Sequence, residues 1–115
     1  MSTSRIRSIH DKLTAGQLSC VELTTAYLDA IARDNAALNA YVHITADEAL
    51  AAARRVDEKR ARGEQLSLLE GVPMTLKDNI STNGLLTTCC SRILEGYAPI
   101  YDATVWKTLK AQGSV

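Results

Sequence analysis

Two features of this chain carry groups that could do chemistry: a lysine inside an apolar run and a pair of adjacent cysteines. Lys77 lies near the end of the run Gly-Val-Pro-Met-Thr-Leu-Lys-Asp-Asn-Ile, residues 71–80, and offers an amine. Cys89 and Cys90 offer two thiols, which invite a metal or redox interpretation. Each has a simpler structural interpretation, and the elements around it decide between the two.

The lysine run has the features of a strand. Turn-forming residues flank it on both sides, its apolar positions do not follow a helical repeat, and Pro73 stands near its start, where a strand tolerates it. We predict a mostly buried main strand over residues 72–79. On residue type alone, the simpler interpretation of Lys77 is that its ammonium extends from the strand end to solvent, because lysine is rarely buried without a partner.

The three cysteines fit reduced thiols in a cytoplasmic protein better than a disulfide framework. Neighbouring residues such as Cys89 and Cys90 cannot easily form an unstrained disulfide, and no Cys/His pair has zinc spacing. His10 and His43 are far apart in the sequence and are each predicted to be structural. We therefore predict buried thiols and no metal site.

Composition indicates a small globular chain of 115 residues, 46% of them apolar. Aromatic residues are scarce, so a core would depend on Leu, Val, Ile and Ala. With 13 basic and 13 acidic residues, the chain has no net charge that would attract nucleic acid or an anionic membrane. We expect no membrane span and no signal peptide, since no apolar run approaches about 20 residues and residues 1–7 lack an apolar core.

Helical spacing and capping signals predict four helices. Ser4 or a neighbour can cap the first, and Gly16 ends it. Capping boxes are predicted at residues 19–22 and 45–48, Gly63 ends the third helix, and Asp102 caps the last. The mixed charges of the third helix fit a solvated surface, Asp57 included. The predicted ranges are about 4–15, 20–34, 46–62 and 103–112. The second helix is expected to fray near residues 34–35, and the last is expected to turn Val105, Trp106 and Leu109 inward.

These elements predict an α/β fold that is incomplete as a domain. A weaker extended segment is predicted over residues 38–44, besides the main strand. A parallel strand pair needs a crossover connection and a neighbouring strand, and no such strand is predicted after the last helix. Residues 1–115 are therefore interpreted as the opening of a larger α/β domain.

The lysine run resembles the G-[IV]-P-[IVLM]-x-[IVLM]-K-D-N segment of the amidase signature family. Residues 18–23, 38–42 and 71–113 extend the likeness. Within the last run, residues 77–80, 91–97 and 101–105 are similar to the glutaminase subunits of tRNA-dependent amidotransferases in particular. The resemblance implies the amino-terminal part of the amidase signature fold, with helices packed on the first strands of a mixed sheet.

The resemblance also implies a Ser–Ser–Lys catalytic triad. In that family one serine attacks the amide carbonyl, and a second, held by a cis peptide, shuttles a proton between the nucleophile and the lysine. Lys77 occupies the matching position, which implies a general base that must be neutral to accept a proton and is therefore kept buried inside the sheet. Asp78 would point to the opposite face of a strand, so Asp78 and Asn79 are assigned a structural role in the following turn.

Some departures from the family pattern bear on activity. The family's two serines lie in a Gly/Ser-rich segment further along, and neither Ser81 nor Ser91 has such a setting. We therefore predict that the isolated chain has no amidase activity. Cys90, where the family more often has Ala or Gly, and Trp106, where a small aliphatic residue is usual, affect only the expected local packing.

The resemblance implies partners as well as chemistry. The whole glutaminase protein would hydrolyse glutamine and pass ammonia to a B subunit, which amidates Glu-tRNA(Gln) with ATP and Mg²⁺, while a small C subunit wraps the pair. This chain itself would bind no cofactor and no metal. Two alternatives stay open: another amidase-signature hydrolase acting on small amides, and a non-catalytic, truncated interaction module.

Overall fold

The structure is a computed structural model, and it describes residues 4–115. In that range it contains four α-helices and one short 3-10 helix, Arg92–Leu94. The α-helices are α1, Arg5–Thr14; α2, Cys20–Leu38; α3, Ala46–Ala61; and α4, Thr104–Ala111. Their bounds lie within one residue of the predicted ranges, except that α2 is four residues longer. Among the described residues, no helix has the length and apolar character to cross a membrane.

Glycines end α1 and α3, as the sequence predicts. The Gly16 N–H donates to Leu13 O at 3.1 Å, and the Gly63 N–H donates to Arg60 O at 2.9 Å. Both glycines have positive φ, 69° and 76°. This left-handed conformation turns the chain out of the helix and carries no side-chain penalty in glycine.

The first turn of α2 is capped from two directions. The predicted box is confirmed: the Ser19 hydroxyl accepts from the Glu22 N–H at 3.0 Å, and the Glu22 carboxylate accepts from the Ser19 N–H at 2.9 Å. These bonds hold the pKa of Glu22 below its usual range. In addition, Asp57 of α3 accepts from the N–H groups of Cys20 and Val21 at 2.8 and 3.0 Å. Asp57 is thus a cap between two helices, and its assignment to a solvated surface was wrong.

The other predicted side-chain caps are wrong. Neither Ser4 nor Thr45 makes a side-chain hydrogen bond to its helix. Asp102 does not begin α4; its carboxylate accepts from the Asn83 N–H at 2.7 Å, and the Ala103 carbonyl accepts the first bond of the helix, from Lys107 N–H.

The extra length of α2 is explained by Asn35, the residue near which the helix was predicted to fray. Its side-chain amide donates to Tyr41 O at 3.0 Å and its side-chain oxygen accepts from Tyr41 N–H at 2.9 Å. Asn39 then ends the helix in the left-handed conformation, with φ 48°. The segment after α2 is thereby fixed without regular structure, and the extended segment predicted over residues 38–44 is not a strand.

The chain divides into two compact units. The first contains the described residues up to Met74 together with Gln112–Val115, and the second is Thr75–Ala111. In the first unit α2 packs against α3, and the buried core cluster joins α1, α2 and α3. Its members are Leu13, Cys20, Ala53 and Val56, with Ile9, Leu18, Val21, Leu66 and Val115 packed around them.

Residues 72–79, predicted as the main strand, are not a strand, and no β-strand occurs between residues 4 and 115. The Val115 N–H donates to Val72 O at 3.0 Å, and the Met74 N–H donates to Val115 O at 2.6 Å. One residue here bonds to two residues of the neighbouring segment that are two positions apart. This pair of bonds forms one rung of a parallel ladder. A single rung is too short for a strand. The mixed sheet therefore stays a prediction.

In the second unit α4 is half covered. Trp106 and Leu109, predicted to face inward, are half-buried, whereas Val105 is 52% exposed and its inward assignment was wrong. The start of α4 is tied to the loop after Lys77, because Ala103 N–H donates to Ser81 O at 2.8 Å. That bond fixes the helix beside the segment that carries the candidate site.

Candidate active site

Lys77 lies in the second unit at the first position of a turn. Its carbonyl accepts from the Ile80 N–H at 3.0 Å, so Asp78 and Asn79 are the central residues of that turn, as predicted. The Lys77 side chain is exposed, and its ammonium has no hydrogen bond or ion pair within residues 4–115. The prediction of a mostly buried lysine is wrong for this structure. The ammonium reaches solvent because nothing in the described chain pairs with it.

Asp78 organises the loop that faces this turn. Its carboxylate accepts from the Thr88 N–H at 3.0 Å, from the Thr88 hydroxyl, and from the Cys90 N–H at 3.4 Å. Its carbonyl accepts from the Cys89 N–H at 2.9 Å. The structural role predicted for Asp78 is therefore confirmed, and a partly buried carboxylate with several donors is anchored in place. Sequence reasoning missed Thr88, since nothing in the sequence pairs residues ten positions apart.

The two serines nearest to Lys77 in sequence do not form a triad with it. The Ser81 hydroxyl donates to the Tyr101 hydroxyl at 3.4 Å. Ser91 lines an open groove with Thr88, Cys90, Arg92 and Glu95. Neither serine hydrogen-bonds to the Lys77 ammonium. Within the described residues, these two serines therefore do not form a proton relay with Lys77.

The cysteine prediction holds for one residue of three. Cys20 is fully buried in the core, where burial raises the pKa of its thiol to about 11, helped by the nearby Asp57 carboxylate. Cys89 and Cys90 are exposed, so their assignment as buried thiols was wrong. They are the central residues of a turn closed by Ser91 N–H donating to Thr88 O at 2.8 Å, with φ of 51° and 54°. No group of three His, Cys, Asp or Glu that could hold a metal is found in the part of the chain that the structure describes.

Replacing Cys90 by glycine is expected to raise the free energy of unfolding by about 0.5–1 kcal/mol. A positive φ strains a residue with a Cβ by about 1–2 kcal/mol, and the greater chain entropy of glycine offsets part of the relief. Urea unfolding measures the change. Glu95→Gly is the matched control, because Glu95 is exposed in the same segment at φ −57° and should lose about 0.5–1 kcal/mol. A Cys90→Gly variant destabilised as much as this control would contradict the strain argument.

The sequence profile of the amidase family matches residues 22–115. The chain belongs to the amidase family. The matched region starts in the first turn of α2 and includes Lys77, the Asp78 loop and α4.

Curated relatives of this amidase-family chain share its sequence at more than 40% identity. The A subunit of glutamyl-tRNA(Gln) amidotransferase from Gloeothece citriformis is 46% identical over 110 residues, which are 96% of this chain and 23% of the relative. The protein of the same name from Chloroflexus aggregans is 48% identical over 110 residues, 96% of this chain and 22% of that protein. The chain thus spans about a quarter of the length of these relatives.

Solved structures share the fold of this chain. A protein described as part of a vestigial complex bearing on the origins of an s-triazine catabolic enzyme is similar with a TM-score of 0.92 and 29% identity, over 97% of this chain and 25% of that one. A peptide amidase in complex with the competitive inhibitor chymostatin gives 0.89 and 32%, over 99% and 24%. The family predicted from the lysine segment is therefore confirmed.

Proposed function

We propose that this chain is the amino-terminal part of the glutaminase subunit of a glutamyl-tRNA(Gln) amidotransferase and that Lys77 is its triad lysine. The observation that carries the proposal is the 46–48% identity, over 96% of the chain, to proteins of that name. Lys77, Asp78 and Asn79 keep the family's K-D-N spacing within the matched region. Since the chain spans 23% of such a relative, the activity belongs to the whole protein.

The proposed chemistry follows from the residues that this chain has and those it lacks. A nucleophilic serine attacks the glutamine amide carbonyl, and a second serine passes the proton between nucleophile and Lys77. A lysine base must be neutral to accept a proton, and exclusion of water favours the neutral form. Since Lys77 is exposed in the described chain, we infer that further polypeptide covers it in the whole protein. The same polypeptide supplies both serines.

The turn around Lys77 suits this role. Ile80 N–H fixes the turn on one side, and the hydrogen bonds of Asp78 to Thr88, Cys89 and Cys90 fix the loop opposite. The carboxylate adjacent to Lys77 is therefore occupied by structural bonds. A lysine base needs this arrangement, because a carboxylate paired with the ammonium would stabilise its charged form.

The proposal includes the partners of the whole glutaminase protein. Glutamine is the amide donor, and hydrolysis yields glutamate and ammonia. A B subunit uses ATP and Mg²⁺ to activate the glutamate of Glu-tRNA(Gln) and then amidates it, and a C subunit completes a cytoplasmic heterotrimer. No ATP, Mg²⁺ or tRNA site is assigned to the residues of this chain.

The isolated chain is expected to release no ammonia from glutamine above background. Lys77 is exposed and neither Ser81 nor Ser91 bonds to it, so the proton relay is absent. A coupled glutamate dehydrogenase assay on the purified chain measures turnover. Ammonia release that disappears in Lys77→Ala would contradict the expectation, whereas release unaffected by this substitution would identify a contaminant.

A second candidate function is hydrolysis of small amides without tRNA. The likeness to a peptide amidase, at 32% identity and a TM-score of 0.89, favours it. Tagged purification of the complete gene product separates the two candidates. An amidotransferase glutaminase is expected to retain B and C subunits, and a free-standing amidase is expected to elute alone and to hydrolyse peptide amides.

A further inference from the structure

We propose that Cys89 and Cys90 form a vicinal dithiol site that binds trivalent arsenicals through both sulfur atoms. The proposal is independent of the glutaminase function and concerns the turn at residues 88–91. Both cysteines are exposed, and neither thiol is engaged in a hydrogen bond within residues 4–115. Soft thiolates are the ligands that thiophilic elements prefer.

The turn brings the two thiols closer in direction than an extended chain would. In an extended chain, successive side chains point to opposite faces, which would separate the two sulfur atoms. Cys89 and Cys90 instead have φ of 51° and 54°, a left-handed helical arrangement in which successive side chains diverge by about 100°. The hydrogen bonds of Asp78 to the N–H groups of both cysteines hold this conformation.

The site favours a bridging atom over a direct disulfide. Adjacent Cα atoms across a trans peptide are about 3.8 Å apart, which is shorter than the roughly 4.4 Å that an unstrained disulfide needs. An arsenic atom between the sulfur atoms lengthens the bridge and removes this conflict. The open groove of about 300 Å³ that Cys90 lines with Thr88, Ser91, Arg92 and Glu95 leaves room for the arsenic substituent.

The binding step needs no oxidant. Each thiol gives up a proton and forms one As–S bond, and the oxygen of an arsenoso group leaves with both protons as water. Arsenic stays trivalent throughout. The second As–S bond forms within the molecule, at a high effective concentration, so the two-thiol adduct outlasts any one-thiol adduct.

The test uses phenylarsine oxide on the 115-residue chain, followed by intact mass spectrometry in excess glutathione. We expect one arsenical per chain, displaced by 2,3-dimercaptopropanol, and retention that falls about tenfold or more in Cys89→Ser and in Cys90→Ser. Both replacements are at exposed positions, and circular dichroism checks that each variant folds. Peptide mapping should find Cys20 unlabelled, because its buried thiol stays protonated below a pKa of about 11.

Three results would overturn the proposal. The first is an unlabelled parent chain. The second is equal retention in either serine variant, which would indicate a one-thiol adduct. The third is release at the same rate from the folded chain and from the chain unfolded in guanidinium chloride, which would show that the left-handed turn contributes nothing.

Discussion

Lys77→Ala is expected to lower glutaminase turnover by roughly 10³-fold or more in a chimeric protein that carries this chain. The chimera is the glutamyl-tRNA(Gln) amidotransferase relative from Gloeothece citriformis with its 110 aligned residues replaced by those of this chain. The relative supplies the rest of the protein, and this chain supplies the lysine. In the proposed relay the residues act as a unit, so loss of Lys77 would remove most of the rate enhancement.

Two further variants of the chimera test the role of Lys77 more closely. Lys77→Arg keeps the positive charge but cannot accept a proton, so it should be as inactive as the alanine variant. Lys107→Ala removes an exposed lysine from the same unit and should leave turnover within about twofold, as surface substitutions usually do. Turnover in Lys77→Ala within tenfold of the parent chimera, or activity retained in Lys77→Arg, would exclude Lys77 as the base.

Local signals predicted the helices well. The box at Ser19 and Glu22 and the stops at Gly16 and Gly63 depend on neighbouring residues, so a single sequence contains all the information for them. The length of α2 escaped prediction because Asn35 bonds to Tyr41, which lies beyond the end of the helix. Asparagine generally favours the ends of helices, but Asn35 lies inside α2 and its side chain fixes the segment that follows the helix.

Features that depend on distant residues could not be predicted. Asp57 caps α2 from another helix, and the anchoring of Thr88 by Asp78 joins residues ten positions apart. Periodicity reports which residues share a face, and it carries no information on such pairs. The exposed turn at Cys89 and Cys90 belongs to the same class, since its left-handed conformation is imposed by the Asp78 bonds and runs against residue preference.

The strand prediction over residues 72–79 shows a different limit. The pattern of the segment indicates a strand, and Val72 is buried as expected. A strand forms only against a partner, however, and the described residues offer one rung, to Val115. The burial of Lys77 depended on the same sheet, which explains why both predictions failed together while the family assignment held.

Gly71→Ala is expected to lower the free energy of unfolding by about 2–5 kcal/mol. Gly71 lies against the buried core of the first unit with φ 78°. A Cβ at this position would lie 3.0 Å from Cys20 Sγ, 3.0 Å from Leu13 Cδ1 and 3.1 Å from Val56 Cγ1. Overpacking of this kind costs about 1–3 kcal/mol, and the left-handed conformation adds about 1–2 kcal/mol for a residue with a side chain.

Gly63→Ala is the control that separates these two contributions. Gly63 has nearly the same φ, 76°, but nothing lies within 4 Å of the Cβ it would gain, so only the backbone term of about 1–2 kcal/mol applies. Urea unfolding of both variants gives the crowding energy by difference. Combining Gly71→Ala with Val56→Ala should recover part of that difference, because residues in contact couple. Equal destabilisation by Gly71→Ala and Gly63→Ala would mean that the core moves to accommodate the added methyl group. The close packing around Gly71 would then make no contribution to the free energy of unfolding.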